Sequence, residues 1–482
     1  MMINKVSLAP DLKISPIVTG LWQIADMERK KELDIKHTSS FMAKYVESGL
    51  SSFDMADHYG SSEIIAGQFL KNSTNRKNAQ LFTKWVPDPG KINKDVVRSA
   101  VTLALERTQQ DALDLLQYHA WHYPDPSWLD CLFYLKELKE EGLIKQIGVT
   151  NFDTAHLRIA CASGIPIVSN QISHSVLDQR ANNNMVNVCK EYDVKLLAYG
   201  SLAGGFLTKK WLGEKEPKIN QLNTWSEMKY KRFIDVAGGW AIYQNLLRVL
   251  DKIANKYEVT IANIATRYVF ENPKVIAVII GARLGENDHI DQNKQSLEIE
   301  LTKEDLELIK SEQKMLNPIP GDCGDEYRKP PYLTASGDLS HHLTSIPNSF
   351  EPVKNIKGLK QIFSNTIWEG FAGYCRAIKS GKNIHVSGTT ATHGERLIGG
   401  TDPAAQTHFI IDKIQGAIES LGGALKDVVR TRIYVNKIID WESVARAHGE
   451  RFKDINPSNT LVQSGLIGDG YLVEIEAEAI VD

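Results

Sequence analysis

Tyr59, Lys84, Asp54 and His119 are the residue types that, brought together, deliver a proton to a reacting oxygen. A free phenol titrates near about pH 10 and is a weak acid by itself. A lysine ammonium close by stabilises the phenolate, and an aspartate keeps that lysine charged and oriented. A histidine, neutral or protonated, supplies a hydrogen bond to a substrate oxygen as charge develops on it. Such parts are what reducing a carbonyl would ask of a protein, since a hydride donor must be joined by a proton donor for the alkoxide. Taken as a pair, Asp54 and Lys84 read equally well as a buried ion pair. Tyr59 and His119 in register with them favour chemistry.

Four residues so far apart in sequence need a scaffold that gathers them. From about residue 14, short β-branched runs alternate with helix-length amphipathic segments, the pattern of βα units on a parallel sheet. Candidate strands cover 14–20, 51–56, 81–86, 113–119, 144–150, 167–171, 195–200 and 275–281. Eight such units suit a TIM (β/α)8 barrel. Each strand ends in, or just before, a polar or aromatic residue: Trp22, Asp54, Lys84, His119, Asn151, Gln171, Tyr199 and Arg283. Parallel strands bring all these ends to one rim, where TIM-barrel active sites sit. One such residue reads as a rim hydrogen bond, whereas eight converging ones read as a site. The segment 203–240 is longer than a βα loop normally runs, so it is a functional lid or a mobile insertion.

After a helical stretch at 301–316, proline, glycine and serine without periodicity mark a linker, taken as 326–349, with the boundary between about 325 and 350. His341 and His342 fall there and read as a solvated loop pair. The barrel thus takes residues 1–325 and a smaller α+β domain takes 350–482. In that domain, strands are expected at 362–369 and 383–392, followed by a long helix at 403–422 and further strands. Alternation in VEIEAEAIVD puts Glu474, Glu476 and Glu478 on one face.

Composition narrows the function classes. With 482 residues, two domains are the default. A net charge of -3 gives no electrostatic reason to expect nucleic acid. No stretch approaches the roughly 18 apolar residues of a membrane span, and the N-terminus lacks a signal-peptide core, so a cytoplasmic protein is expected. Five scattered cysteines with no C-x-x-C spacing argue against a zinc site or a disulfide framework, and no metal is expected.

FDMADHYGSSEIIAG, LFTKW and DLLQYHAW, followed by GVTNF, SNQISHSVLDQR, AYGSLAGGFLT and IIGARLGENDHIDQN, resemble the aldo-keto reductase family over residues 1 to about 325. The resemblance implies that Asp54, Tyr59, Lys84 and His119 are the catalytic tetrad, with Tyr59 the proton donor acting on a small aldehyde, ketone or alcohol. It implies that Ser169, Asn170 and Gln171 hold the nicotinamide carboxamide and that Tyr199 stacks on the nicotinamide, with Gly200, Ser201 and Leu202 beside it. Gly20, Leu21 and Trp22 would line the reacting centre. Gly281, Ala282, Arg283, His289 and Asn293 would surround the adenosine end. There a guanidinium suits a 2'-phosphate, which favours NADP(H). No G-x-G-x-x-G follows a strand, in keeping with a family that binds its cofactor without a Rossmann fold.

GYCRAIKSGKNIHVSGTTA, RTRIYVNKIIDWESVARAHGERF and VEIEAEAIV resemble the reactive-intermediate deaminase (Rid/YjgF) family over residues 370–482. That resemblance implies a homotrimer with clefts between subunits. The family's deaminating members hold a carboxylate with an arginine, and Asn459 stands in its place. Asparagine offers neither the fixed charge nor the fork of donors. Tyr374, Ser387, Gly388 and Glu474 match the family cleft. The readings are therefore a working reductase whose second domain binds a metabolite or organises an oligomer, a cofactor-bound sensor without turnover, or a bifunctional enzyme that also hydrolyses an imine or enamine.

Overall fold

The computed structural model describes residues 3–74 and 76–481. Two short strands open the chain, β1 (Val6–Ala9) and β2 (Leu12–Ile14), paired as an antiparallel hairpin. Then come β3 (Ile17–Gly20), β4 (Ser52–Asp54), β5 (Gln80–Trp85), β6 (Leu113–Tyr118), β7 (Ile144–Thr150), β8 (Ile167–Ser173), β9 (Lys195–Tyr199) and β10 (Val275–Gly281). These eight pair in parallel, in chain order, and β10 closes onto β3. The TIM barrel expected from the alternation is present. One strand starts later than expected: residues 12–14 belong to the hairpin. Leu8, Leu12 and Ile14 are buried with Val18, Phe82, Leu115 and Leu197, so the hairpin forms a floor of apolar side chains inside the barrel's closed end.

Helices flank the strands, and their starts are written in side chains that satisfy free N–H groups. Asn93 accepts from Val96, Asp153 from His156, and Thr302 from Asp305. The segment 203–240 is ordered by its own elements. Thr224 and Glu227 form a reciprocal cap on the helix Trp225–Val236, whose Tyr230, Phe233 and Ile234 are buried.

The second domain is a sheet of β11 (Val353–Lys354), β12 (Lys360–Ile362), β13 (Ala377–Ser380), β14 (Asn383–Thr390), β17 (Val428–Val435), β18 (Ser458–Gln463) and β19 (Val473–Ile480), in the order β11-β12-β13-β14-β19-β17-β18. A separate small hairpin joins β15 (Thr392–His393) to β16 (Arg396–Leu397). Helices Pro403–Ser420 and Trp441–Phe452 belong to this domain, and their Phe409, Ile414, Val444 and Phe452 are buried in one core with Ile433, Val435, Ile475 and Ala477 of the sheet. Glu474, Glu476 and Glu478 share the other face, as the alternation predicts. One expectation fails: the strand anticipated at 362–369 ends at Ile362, and Ile367–Ala372 is helical. No helix among the described residues is long and apolar enough to cross a membrane.

Candidate active site

Asp54 stands at the end of β4, Lys84 near the end of β5 and His119 one residue beyond β6. The register pairs Asp54 with Phe82 and Lys84 with Gln117, so each of the three lies two positions further along its strand than the one before. Lys84 Nζ donates to Asp54 Oδ2 at 2.5 Å and to the Met55 carbonyl at 2.9 Å. The other carboxylate oxygen, Asp54 Oδ1, accepts from Gln117 at 2.9 Å and Gln171 at 2.8 Å. Gln171 also donates to Gln117 Oε1. The buried ion pair thus has its remaining lone pairs satisfied, which makes burial of both charges tolerable.

Tyr59 lies in the loop before helix Ser62–Asn72, half-buried, with Lys84 Nζ 4.7 Å from its ring centroid. Trp22 meets the ring edge-on at 4.9 Å and His58 at 4.8 Å. Burial, and after it the charge of Asp54, raise the Tyr59 phenol well above its ordinary value. This differs from the sequence expectation that Lys84 would lower it. The Lys84 charge is already bonded to Asp54, and burial itself pulls the Lys84 pKa down. The phenol therefore holds its proton.

His119 Nδ1 lies 3.2 Å from the Thr150 carbonyl, which can only accept, so this assignment puts the ring proton on Nδ1. Burial, and then the nearby Arg328 charge, hold the imidazole well below its ordinary pKa and keep it neutral. Among the described residues its buried Nε2 has no hydrogen-bond partner. In this tautomer Nε2 accepts a hydrogen bond from a hydroxyl. It can donate to a carbonyl once the ring proton sits on Nε2.

The remaining expected residues divide into those that converge and those that do not. Leu21 is buried after β3, and its N–H bonds the Asp54 carbonyl. The Ala282 N–H bonds the Gly20 carbonyl, and the Gln23 amide fills the place a side chain on Gly281 would need. Ser169 Oγ is buried and unpartnered beneath Gly148, deeper than Gln171 on the same strand. Asn170 alternates to the other side of β8, where its amide bonds both the N–H and the carbonyl of Phe152. It is committed to the backbone instead of facing the mouth. Asn151 is a residue sequence reasoning left as a strand end only: its Oδ1 accepts from Tyr199 OH at 2.7 Å. Arg283 is partly exposed, with Glu286 at 3.7 Å. Ser201 is buried next to Gly200 and Leu202 after β9, while His289 directly precedes helix Ile290–Gln295 and Asn293 lies within it.

Two further groups over the mouth carry no motif. From the helix Trp225–Val236, Trp225 packs on Trp22 at 5.6 Å, and Lys229 Nζ donates to Tyr327 OH at 2.7 Å while lying 5.0 Å from the Tyr199 ring centroid. From the segment read as a linker, Tyr327 approaches His119 at 5.8 Å, and His342 lies 5.2 Å from Trp121. His341, expected as solvated, is exposed but meets Trp225 at 4.2 Å. The signal in sequence was only the length of one insertion and the aromatic residues of the other.

In the second domain, the side chain of Glu474 lies where a Cβ on Gly388 would sit, 2.1 Å from Oε1, which accounts for the glycine. Burial raises the Glu474 pKa. Arg376 donates to the carbonyl of Gly388 and to Tyr374 OH, while Ser387 Oγ donates to the Cys375 carbonyl. Asn459 is not with them. It donates to Thr431 Oγ1 and pairs across β17, toward the far edge of the sheet.

Comparison with known proteins agrees with this division. Residues 16–314 match the aldo/keto reductase family and residues 367–481 match the family described as endoribonuclease L-PSP. An NADH-specific methylglyoxal reductase of Escherichia coli is 25% identical over 329 residues, covering 62% of this chain and 95% of that protein. An uncharacterized protein of Streptomyces coelicolor is 36% identical over 124 residues, 26% of this chain and 92% of that protein. The structure of a glycerol dehydrogenase from Gluconobacter oxydans superposes with a TM-score of 0.53 at 22% identity, covering 66% of this chain and 97% of that one.

Proposed function

The chain belongs to the aldo/keto reductase family and is an oxidoreductase, and from that premise we propose that it reduces a small aldehyde or ketone with NADPH, Tyr59 giving the proton. The observation that carries the reading is the meeting of a protonated Tyr59, a Lys84–Asp54 pair and the unpartnered His119 Nε2 at the barrel mouth. Family members use nicotinamide cofactors, and a bound nicotinamide supplies the hydride. Tyr59 passes its hydroxyl proton to the carbonyl oxygen. Lys84 offsets the phenolate charge that remains, and Asp54, fixed by Gln117 and Gln171, keeps Lys84 in place. His119 Nε2 orients the substrate oxygen.

An orphaned polar atom fits a cofactor at the mouth: Gln23 Oε1 beside Gly281. The face of Tyr199 and the turn Gly200–Leu202 are suited to the nicotinamide end. Arg283 suits a 2'-phosphate, which would have to displace Glu286. Arg283→Ala is expected to lower kcat/KM for NADPH by about tenfold, the value of one charge-assisted contact, and to leave NADH unchanged. Equal effects on both cofactors would remove the NADPH assignment.

The central test is an NADPH-oxidation screen over sugars, aldehydes and quinones, repeated with Tyr59→Phe. Loss of about 10²- to 10⁴-fold in kcat, with cofactor still bound, is expected. Activity surviving the substitution would overturn the mechanism, and cofactor binding without turnover would favour a sensor. For the second domain we propose a metabolite-binding or trimer-forming role over imine hydrolysis, because Asn459 carries no charge with which to hold a carboxylate.

A further inference from the structure

The second domain meets the barrel close to the loop that follows His119, and from there a series of contacts runs inward to the site. The helix Pro403–Ser420 is buried along much of its length and packs on the barrel helix Thr154–Ala162. Its Asp412 Oδ2 lies 2.8 Å from His156 Nε2, and His156 Nδ1 lies 2.6 Å from Asp153 Oδ1. Carboxylates only accept, so both ring nitrogens donate and His156 is an imidazolium. Arg451, also from the second domain, sits 2.8 Å from Asp412 Oδ1.

The His156 ring stacks flat on Tyr123, with centroids 3.4 Å apart and planes 5° apart. The Arg328 guanidinium lies over that same tyrosine ring at 4.4 Å. Arg328 in turn donates through Nε to the Ala120 carbonyl at 3.0 Å and through Nη1 to the Asn151 carbonyl at 2.7 Å. Ala120 follows His119 directly. Gly324 adopts φ +80, and a Cβ there would lie 1.9 Å from the Asn151 carbonyl, so the Arg328 segment sits tightly on this backbone.

Burying an imidazolium between two carboxylates is a costly way to hold two domains together, since well-packed apolar residues of the same volume do as well or better. What the charged arrangement adds is orientation: two hydrogen bonds fix the imidazole plane, and the plane fixes Tyr123. We propose that Asp412 and His156 are positioning residues for the barrel's reaction, by which the second domain, through Tyr123 and Arg328, holds the backbone after His119 and so sets His119 Nε2 against the substrate oxygen. The proposal rests on the carbonyl-reduction reading.

The test uses the full chain. Misplacement of a catalytic group by about 1 Å can lower turnover by up to about 10²-fold. Asp412→Asn is expected to lower kcat about tenfold while cofactor affinity, read by tryptophan fluorescence, changes less than twofold. Arg328→Met also lowers kcat, and adding Asp412→Asn to it lowers kcat no further, because the series is already broken. Asp402→Asn is the control: it removes bonds to Arg158 and Tyr192 in the same domain interface, outside the series, and keeps kcat unchanged.

An unchanged kcat in Asp412→Asn, additive losses with Arg328→Met, or an equal loss in Asp402→Asn would each overturn the proposal. If Asp412→Asn does not fold, Tyr123→Leu interrupts the series from the barrel side and carries the same expectations. If the native enzyme turns over no carbonyl, the carbonyl-reduction reading fails by itself. Positioning is then read from the side-chain ¹⁵N resonances of His119, which should move in Asp412→Asn and not in Asp402→Asn, and a His119 signal that stays in place overturns it.

Discussion

Asp54 receives three donors, Lys84, Gln117 and Gln171, and is buried, so stability and the proposed chemistry both draw on it. Replacing it with alanine leaves the Lys84 ammonium buried without its counter-charge, a change that typically costs about 3–5 kcal/mol. Asp54→Ala is therefore expected to lower the unfolding free energy by that amount and to abolish turnover, whereas Tyr59→Phe abolishes turnover with little change in stability. Urea unfolding of both variants beside a cofactor-oxidation assay separates the two. The motif around Asp54 and Tyr59 could be read in sequence because its parts are local and sit at strand ends. The role of Gln117 could not be, since a glutamine inside the leucine-rich run LDLLQY carries no pattern. Asn170 shows the opposite failure. A polar residue beside Gln171 looks like a partner in the same task, yet strand alternation sends it to the other side, where the Phe152 backbone takes both ends of its amide.

The eight barrel strands were evident because each is a short apolar run bounded by turn residues, and chain order fixes the parallel closure. The hairpin on the barrel floor was hidden because its second strand runs straight into β3 with only Ser15 and Pro16 between. The elements over the mouth were harder still, for a loop's length says nothing of where it folds back. The helix Trp225–Val236 depends on its first turn, where Thr224 accepts from the Glu227 N–H and Glu227 Oε2 accepts from the Thr224 N–H. Removing that cap with Thr224→Ala is expected to destabilise the helix by about 1 kcal/mol. Because Trp225 packs on Trp22 and Lys229 lies over Tyr199, the loss should appear at the site: KM for cofactor or carbonyl rises several-fold, while hydrogen exchange quickens in 225–236 and not in the barrel strands. Unchanged KM with faster exchange would separate this helix from ligand binding.

At the scale of the whole molecule, the two domains are joined by ionic contacts, and the chain's acid response follows from its buried histidines. His119, His122, His174 and His408 are held below the ordinary imidazole pKa by burial, and His342 and His448 are pushed down to about 4 by the same cause. Each takes up a proton near pH 6.5 in the unfolded chain but stays neutral in the fold. The unfolded state thus binds more protons below pH 6.5, and stability falls as pH falls from there toward 4. Asp322 opposes this within the same window, since burial raises its pKa to about 6 and the fold gains by protonating it, and burial raises Asp26, Glu63, Glu419 and Glu474 in the same direction. His156 has the other sign from the buried neutral histidines. Its pKa is raised despite burial, with Asp153 and then Asp412 outweighing desolvation, so its contribution is full below pH 6.5 and is lost as pH rises through the folded value. Seven histidines held down by burial, His341 among them, outnumber the five carboxylates that burial raises and set the expected direction on the acid side. The midpoint of thermal unfolding should drop between pH 7 and pH 5, and His448→Gln should flatten the drop, since glutamine can keep the bond to Thr431 Oγ1 without taking a proton. Midpoints measured across that range in the native chain and in His448→Gln check the sign. A midpoint that rises on acidification would mean that Asp322 and its neighbours, not the histidines, govern the molecule's response to acid.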